Sequence, residues 1–263
     1  MTKKGQIAVF IVIGIVILIF ASLIIYFTTT GEEDQSEQAP SSLDTSSVQS
    51  YVDSCLESTL RDAILYTSMQ GGYDTAPEDS YDISYFSVPY YHTVDSGDIS
   101  PAKEKIESEI SAYIETGLEQ CAGNFSAFTN QGYTISGGEI QAAAAINDMN
   151  VIAEVKYPLG IQSGESSATL EDFNAQVDLP IGRMYEISRQ YINKQEENPN
   201  FVRVTPLLDI CANNNLTFET LYDHDTVVFT LIDPSTRAGG NADYSYSFAV
   251  KYDWENITGE VVV

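Results

Sequence analysis

Residues Ile7 to Phe27 form 21 consecutive positions without a charge, preceded by Lys3-Lys4 and followed by Glu32, Glu33 and Asp34. A helix that crosses a bilayer needs about 20 mostly apolar residues, and helical hydrogen bonding satisfies every backbone group of such a segment where water is absent. Basic residues on the leading flank orient the N-terminus to the cytoplasm. The expected layout is therefore a single-pass cell-membrane protein. Residues 1–27 are a cytoplasmic stub and transmembrane helix with the lipid bilayer as its partner, and an extracellular ectodomain follows.

Thr28 to Ser47 contains Gly31, Pro40, many serines and threonines, and several acids. Such a composition buries too little apolar surface to order itself, so residues 28–46 read as a flexible polar tether. Beyond the two leading lysines the chain has 10 basic against 38 acidic residues, a formal charge of −28. Phosphate backbones repel such a surface, which removes nucleic acid as a partner. The acidity reads as a solvated exterior or as adaptation to high salt, where repulsion is screened over a few ångströms. The 17 tyrosines argue for a packed ectodomain, because disordered chains lack aromatics.

Val48, Tyr51, Val52, Cys55, Leu56, Leu60, Ala63 and Ile64 recur at steps of three and four. That period predicts an amphipathic helix from Ser47 to Gln70, stopped by Gly71-Gly72. A second helix opens at Ser100-Pro101, with Ile106, Ile110, Tyr113, Ile114, Leu118 and Cys121 on one stripe. Antiparallel packing of the two would place Cys55 and Cys121 on facing stripes, a candidate disulfide; two buried thiols are the alternative. With three cysteines in the chain, one remains over.

From residue 133 the period changes to two. Ile140 to Ile146 and Val151 to Tyr157 flank the turn Asn147-Asp148-Met149-Asn150, a hairpin. Another strand is expected around Phe173, Ala175 and Val177, then a helix from Pro180 and a shorter one from Thr205-Pro206 through Cys211. A second hairpin joins Leu216–Tyr222 to Thr226–Ile232, and a last strand carries Tyr244, Tyr246, Phe248, Val250 and Tyr252. About four helices and six strands follow, with hairpins dominant. The fold class is α+β: a helical hairpin with a long aromatic loop over 47–130, and a mainly antiparallel sheet with flanking helices over 131–263.

Catalytic signatures do not emerge. Asp223-His224-Asp225 sets acids beside a histidine, but adjacent side chains rarely face one another, and a polar turn is the better account. His92 lies in the aromatic loop without a second histidine nearby. Asp74, Glu78, Asp79 and Asp82 are weak calcium candidates, since the spacing of a calcium loop is absent. No cofactor and no firm metal site are expected. Asn124, Asn215 and Asn256 each open an Asn-x-Ser/Thr sequon, a glycosylation candidate on an external chain. The segment from Tyr73 to Ile99 exceeds the usual length of a connection. Its Tyr73, Tyr81, Tyr85, Phe86, Tyr90 and Tyr91 offer stiff aromatic contacts beside polar neighbours, as binding loops do.

The start Lys3-Lys4-Gly5-Gln6, directly before the apolar run, resembles the class III signal of archaeal pilin-like proteins, in which a membrane peptidase cuts after the glycine. The resemblance implies processing between Gly5 and Gln6 with the helix retained. Phe10 departs from the pattern, since many pilins carry Glu there to assist filament assembly. The wider layout resembles single-span surface proteins of small-genome archaea, on that start, on Val48 to Tyr73 with Cys55 and Gly71-Gly72, and on Ser247 to Lys251. What this implies is a place at the cell surface rather than an activity. The expected role is non-enzymatic, binding or structural, toward an envelope protein, a glycan or a second copy. A pilin-like filament subunit is the alternative, and an extracytoplasmic hydrolase a remote third.

Overall fold

The computed structural model describes residues 43–123 and 125–254. The apolar run, the expected processing site at Gly5-Gln6, nearly all of the expected tether, Asn124 and Asn256 lie outside the described residues. Among the described residues no helix is long and apolar enough to cross a membrane.

Two long helices, α1 (Ser46–Met69) and α2 (Lys103–Ala122), form the antiparallel pair that their apolar periods predict. Val52, Leu56, Leu60 and Ile64 of α1 and Ile106, Ile110, Ile114 and Leu118 of α2 are fully buried. A Cβ on Gly117 would come within 2.7 Å of Thr59 Cγ2, so the missing side chain is what lets the helices approach. One turn further along, near the start of α1 and the end of α2, Cys55 and Cys121 are joined in a disulfide. At the stop of α1, Gly72 donates its N–H to Thr67 O at 2.7 Å with φ of +89°, the backward bond of a glycine-terminated helix.

Between these helices the expected loop is instead built of strands. β1 (Ser80–Ile83), β2 (Phe86–Thr93) and β3 (Gly97–Asp98) pair antiparallel in succession. The alternation of Tyr81 and Ile83, then Phe86, Val88 and Tyr90, supports a hairpin whose tip passes through Ser84 at φ +45°. Pro89 and the surrounding acids disguise it as loop composition. Residues 86–89 of β2 pair with β1, whereas residues 90–93 pair in parallel with a strand from the far end of the chain. Pro89 sits at this changeover, where a missing N–H is tolerated.

A four-residue helix, α3 (Ser126–Thr129), leads into the second sheet. That sheet comprises β4 (Tyr133–Gly137), β5 (Gln141–Ile146), β6 (Val151–Ser163) and β7 (Ser166–Val177), all antiparallel. β6 is central: β7 runs along one side, while β5 and β4 lie end to end along the other. The chain continues through α4 (Ile181–Gln195) and α5 (Val204–Asn213) into β8 (Thr217–Asp223), β9 (Thr226–Gly239) and β10 (Ala242–Lys251). These complete the first sheet in the order β1-β2-β10-β9-β8, with β3 attached to β2.

The class is thus α+β with mainly antiparallel sheets, the pairing of β2 with β10 being parallel. Ten strands occur among the described residues against six expected; β1 to β4 were the ones hidden by turn residues and short length. One buried cluster runs from Val48 through Phe173 to Tyr252, so the change of period near residue 133 marks a change of element within a shared core. Its aromatic centre lies on the first sheet, where the rings of Phe229 and Phe248 stack at 5.5 Å and Tyr91 stacks on Phe248 at 5.3 Å.

Helix α2 also guards an edge. Glu107 Oε1 accepts the N–H of Ile146 at 2.9 Å, Ser111 Oγ that of Ala144 at 2.9 Å, and Glu115 Oε1 that of Ala142 at 3.0 Å. One helical step of four residues rises about 6.0 Å, and one strand step of two residues about 6.8 Å. Side chains every fourth residue on the helix therefore match every second amide of β5. The strand outruns the helix by about 0.8 Å per step, which suits a short serine in the middle and longer glutamates at the ends.

Candidate functional site

The aromatic segment is largely spent on the fold. Tyr91 is fully buried, donating its hydroxyl to Gly71 O at 3.0 Å and sharing a 2.5 Å hydrogen bond with Tyr246. Tyr90 is buried under Lys251, with its hydroxyl 3.0 Å from Thr226 Oγ1. Tyr81, Phe86 and Ile83 fold over Val88, Tyr90, Val228 and Ala249 on the outer side of the first sheet. Tyr81 then reaches Asp223 with a 2.7 Å hydrogen bond. Tyr73 lies beneath Lys105 Nζ at 5.8 Å from its ring centre. Of the six candidates only Tyr85, at the hairpin tip, is open to solvent, 95% exposed.

The open chemical surface lies instead on the second sheet. Val151, Ala153, Val155, Tyr157, Leu159 and Ile161 of β6 point inward and are buried, which sends Ile152, Glu154, Lys156, Pro158 and Gln162 outward. Cross-strand pairing sets Lys156 between Gln141 and Asp172, Glu154 between Ala143 and Asn174, and Ile152 between Ala145 and Gln176. A groove of about 710 Å³ runs over these rows. A second, of about 440 Å³, covers Thr134, Ser136, Gly160, Gln162, Ser167 and Thr169.

Pro158 lies along β6 between the residues that line the two grooves. There the register of β6 on β7 slips, Lys156 pairing with Asp172 and Leu159 with Leu170, so β6 carries one extra residue. Such a bulge bends and twists the strand. The partner on the other side changes from β5 to β4 at the same place, and Pro158 has no N–H to lose. Ala143, Ala145 and Gly160 keep the floor low, leaving amides, hydroxyls and the charged groups of Glu154, Lys156 and Asp172 to stand up from it. The size is that of ordinary ligand sites.

A polar cluster forms where β2 and β3 meet α4. His92 is 1% exposed and its Nδ1 has no hydrogen-bond partner. Burial lowers the His92 pKa against the opposing pull of Glu196 and Asp98, so the ring is held neutral. Asp98 accepts hydrogen bonds from Ser100 and is paired with Arg189 at 2.6 Å. Burial pushes Asp98 up, but those donors outweigh it and its carboxyl titrates below the usual range. Glu196 accepts the Asp98 N–H at 3.2 Å. The arrangement ties the β2–β3 turn to α4, and a ring so enclosed meets no substrate from solvent.

Other candidates are not brought together. Asp82 accepts from Ser87 within its own hairpin, and the Asp74 N–H is donated to Glu109. Glu78 and Asp79 are exposed. Among the described residues no group of three or more His, Cys, Asp or Glu could hold a metal ion, so Asp74, Glu78, Asp79 and Asp82 do not converge as calcium ligands. His224 occupies the β8–β9 turn at φ +48°, its side chain 93% exposed. Cys211 is buried and its thiol pKa is pushed up to about 11 by desolvation, which suppresses the reactive thiolate. Asn215 is exposed in a left-handed turn after α5, open to modification.

The fold and its surfaces define an α+β domain of two sheets on a disulfide-linked helical pair, with one sheet face open. No protein-family model matches the chain, and no curated protein matches it. Sequence reasoning missed the open face because its outward residues, small and polar, look like any solvated strand surface. The alternation in β6 was its one legible signal.

Proposed function

We propose that the chain is a single-span surface protein whose ectodomain binds a polyhydroxylated envelope component, a glycan, on the open face of the second sheet. The observation that carries this reading is the groove over Gln141, Ala143, Glu154, Lys156, Asp172 and Asn174. Its amides and carboxylates supply paired donors and acceptors for vicinal hydroxyls, Ile152 offers an apolar patch for a sugar face, and the small floor residues admit a broad ligand. A membrane helix at Ile7–Phe27 and a tether over 28–46 would keep the ectodomain at the cell surface. The proposed role is non-enzymatic, binding rather than turnover.

The test is an oligosaccharide array probed with the full chain in detergent micelles, beside the variant Ala143→Trp. Ala143 is exposed, so the indole fills the groove without entering the core. Selective glycan binding that falls at least tenfold in the variant, with unchanged thermal unfolding, supports the reading. Absence of binding, or equal binding by the variant, removes it. Lys3-Lys4-Gly5-Gln6 favours a second reading, a pilin-like subunit processed after Gly5, which a mature N-terminus at Met1 would exclude.

A further inference from the structure

Sheet edges are sites of unplanned pairing unless something blocks them, and this chain blocks its edges unequally. The free side of β5 is occupied by Glu107, Ser111 and Glu115 of α2. β1 is only four residues long and carries Asp82, β4 is only five, and β7 has Glu171 and Asp172 side by side. β8 differs. Among the described residues it pairs with β9 alone. It is also the edge strand that exposes large apolar side chains, Leu221 at 46% and Tyr222 at 53%.

These two residues lie on opposite faces. Leu221 pairs with Val228 on the outer side of the sheet, and Tyr222 with Val227 on the side of the main core. Other apolar groups are exposed as well. Trp254 stacks on Tyr252 at 5.4 Å and is 37% exposed, and Leu208 of α5, the helix beside β8, is 53% exposed. A partner strand added along β8 would cover both faces at once.

We propose that β8 pairs antiparallel with β8 of a second copy of this chain, across a two-fold axis at Thr220. This inference stands apart from the glycan-binding surface, which belongs to the other sheet. The sequence of β8, Thr-Phe-Glu-Thr-Leu-Tyr-Asp, selects the register. Centred on Thr220, all seven residues pair: Glu219 faces Leu221, Phe218 faces Tyr222, and Thr217 faces Asp223. Centring on Glu219 sets two carboxylates opposite one another, and centring on Leu221 sets Glu219 against Asp223; like charges directly opposed destabilise a ladder. The Thr220 register avoids both and gives the isologous contact typical of dimers. Both copies are strongly acidic, so general repulsion opposes the pairing. Screening shortens from about 10 Å at 0.1 M salt to about 3 Å at 1 M, and the dimer strengthens with salt.

The experiment uses the full chain in detergent micelles with Thr220→Cys or Glu219→Cys, under mild oxidation at 0.1 and 1 M NaCl. Paired residues across an antiparallel ladder have Cα atoms about 4.5 or 5.5 Å apart, within disulfide reach. The two Glu219 positions would stand about 8 Å apart, beyond it. Thr220→Cys should crosslink at least tenfold faster than Glu219→Cys, and faster at high salt. Leu221→Glu added to Thr220→Cys sets a second carboxylate opposite Glu219 of the other copy and should abolish the crosslink with unchanged thermal unfolding. Equal crosslinking at 219 and 220, none at 220, or crosslinking that Leu221→Glu leaves intact overturns the proposal. Any association through other parts of the chain does not reproduce this positional pattern.

Discussion

Replacing Glu107, Ser111 and Glu115 with alanine tests the edge guard of α2 directly. Each change removes the acceptor of one β5 amide, at Ile146, Ala144 and Ala142 in turn. A neutral hydrogen bond contributes about 0.5–1.5 kcal/mol net and one to a charged group about 1.5–3 kcal/mol. All three acceptors are half-buried, so water compensates in part and the lower half of each range applies. Ser111→Ala should cost about 0.5–1 kcal/mol and each glutamate about 1.5–2 kcal/mol, giving about 3.5–5 kcal/mol for the triple variant. Against a typical total of about 5–15 kcal/mol, that is a large fraction. Urea unfolding gives the energies, and hydrogen exchange at the amides of 142, 144 and 146 shows where they act. Glutamine at 107 and 115 keeps an acceptor and should restore most of the loss. A triple variant within about 0.5 kcal/mol of the parent, with those three amides as protected as before, would refute the helix-as-edge-strand account; so would glutamine variants as unstable as the alanines.

Reducing Cys55–Cys121, or replacing both with alanine, frees a loop of 66 residues, for which chain entropy predicts a loss of about 4 kcal/mol. Thermal unfolding with and without reductant checks this, and an unchanged midpoint would show that the helical pair is held by packing alone. His92 has its pKa lowered by burial, so below about pH 6.5 the unfolded chain binds a proton that the folded chain refuses. Stability should therefore fall as pH drops below that value, at up to about 1.4 kcal/mol per pH unit until the folded pKa is reached. Glu196, Asp98 and Arg189 face the same region, so the measurement compares His92→Asn with the parent between pH 7 and 5. Parallel pH profiles of the two proteins would exclude the histidine as their source.

Elements with a strong period were legible. Helix α1 was expected over 47–70 and is found at Ser46–Met69, because eight apolar residues at steps of three and four leave no other way to hide them. The facing stripes of α1 and α2 likewise placed Cys55 opposite Cys121. The β5–β6 and β8–β9 hairpins followed from alternation around polar turns. β1 to β3 were not legible, since Pro89, Ser84 and the acids of the segment carry the composition of a loop while its aromatics alternate. Tyr81, Phe86, Tyr90 and Tyr91 therefore looked like contacts for a partner, and the fold uses them as contacts for itself.

The sequence by itself determined the ingredients: an apolar run fit for a membrane, a strongly acidic remainder, two amphipathic helices with opposed cysteines, and a series of strands that alternate. These are local properties, set by the spacing of apolar residues along the chain and by turn chemistry. Only the tertiary structure decided that β2 leaves β1 at Pro89 to join β10, that side chains of α2 close the edge of β5, and that one face of the second sheet and the edge of β8 stay open. Each depends on residues far apart in the chain reaching one place. Periodicity says that a strand has an inside and an outside, but what covers its outside or its edge is settled by the packing of the whole chain.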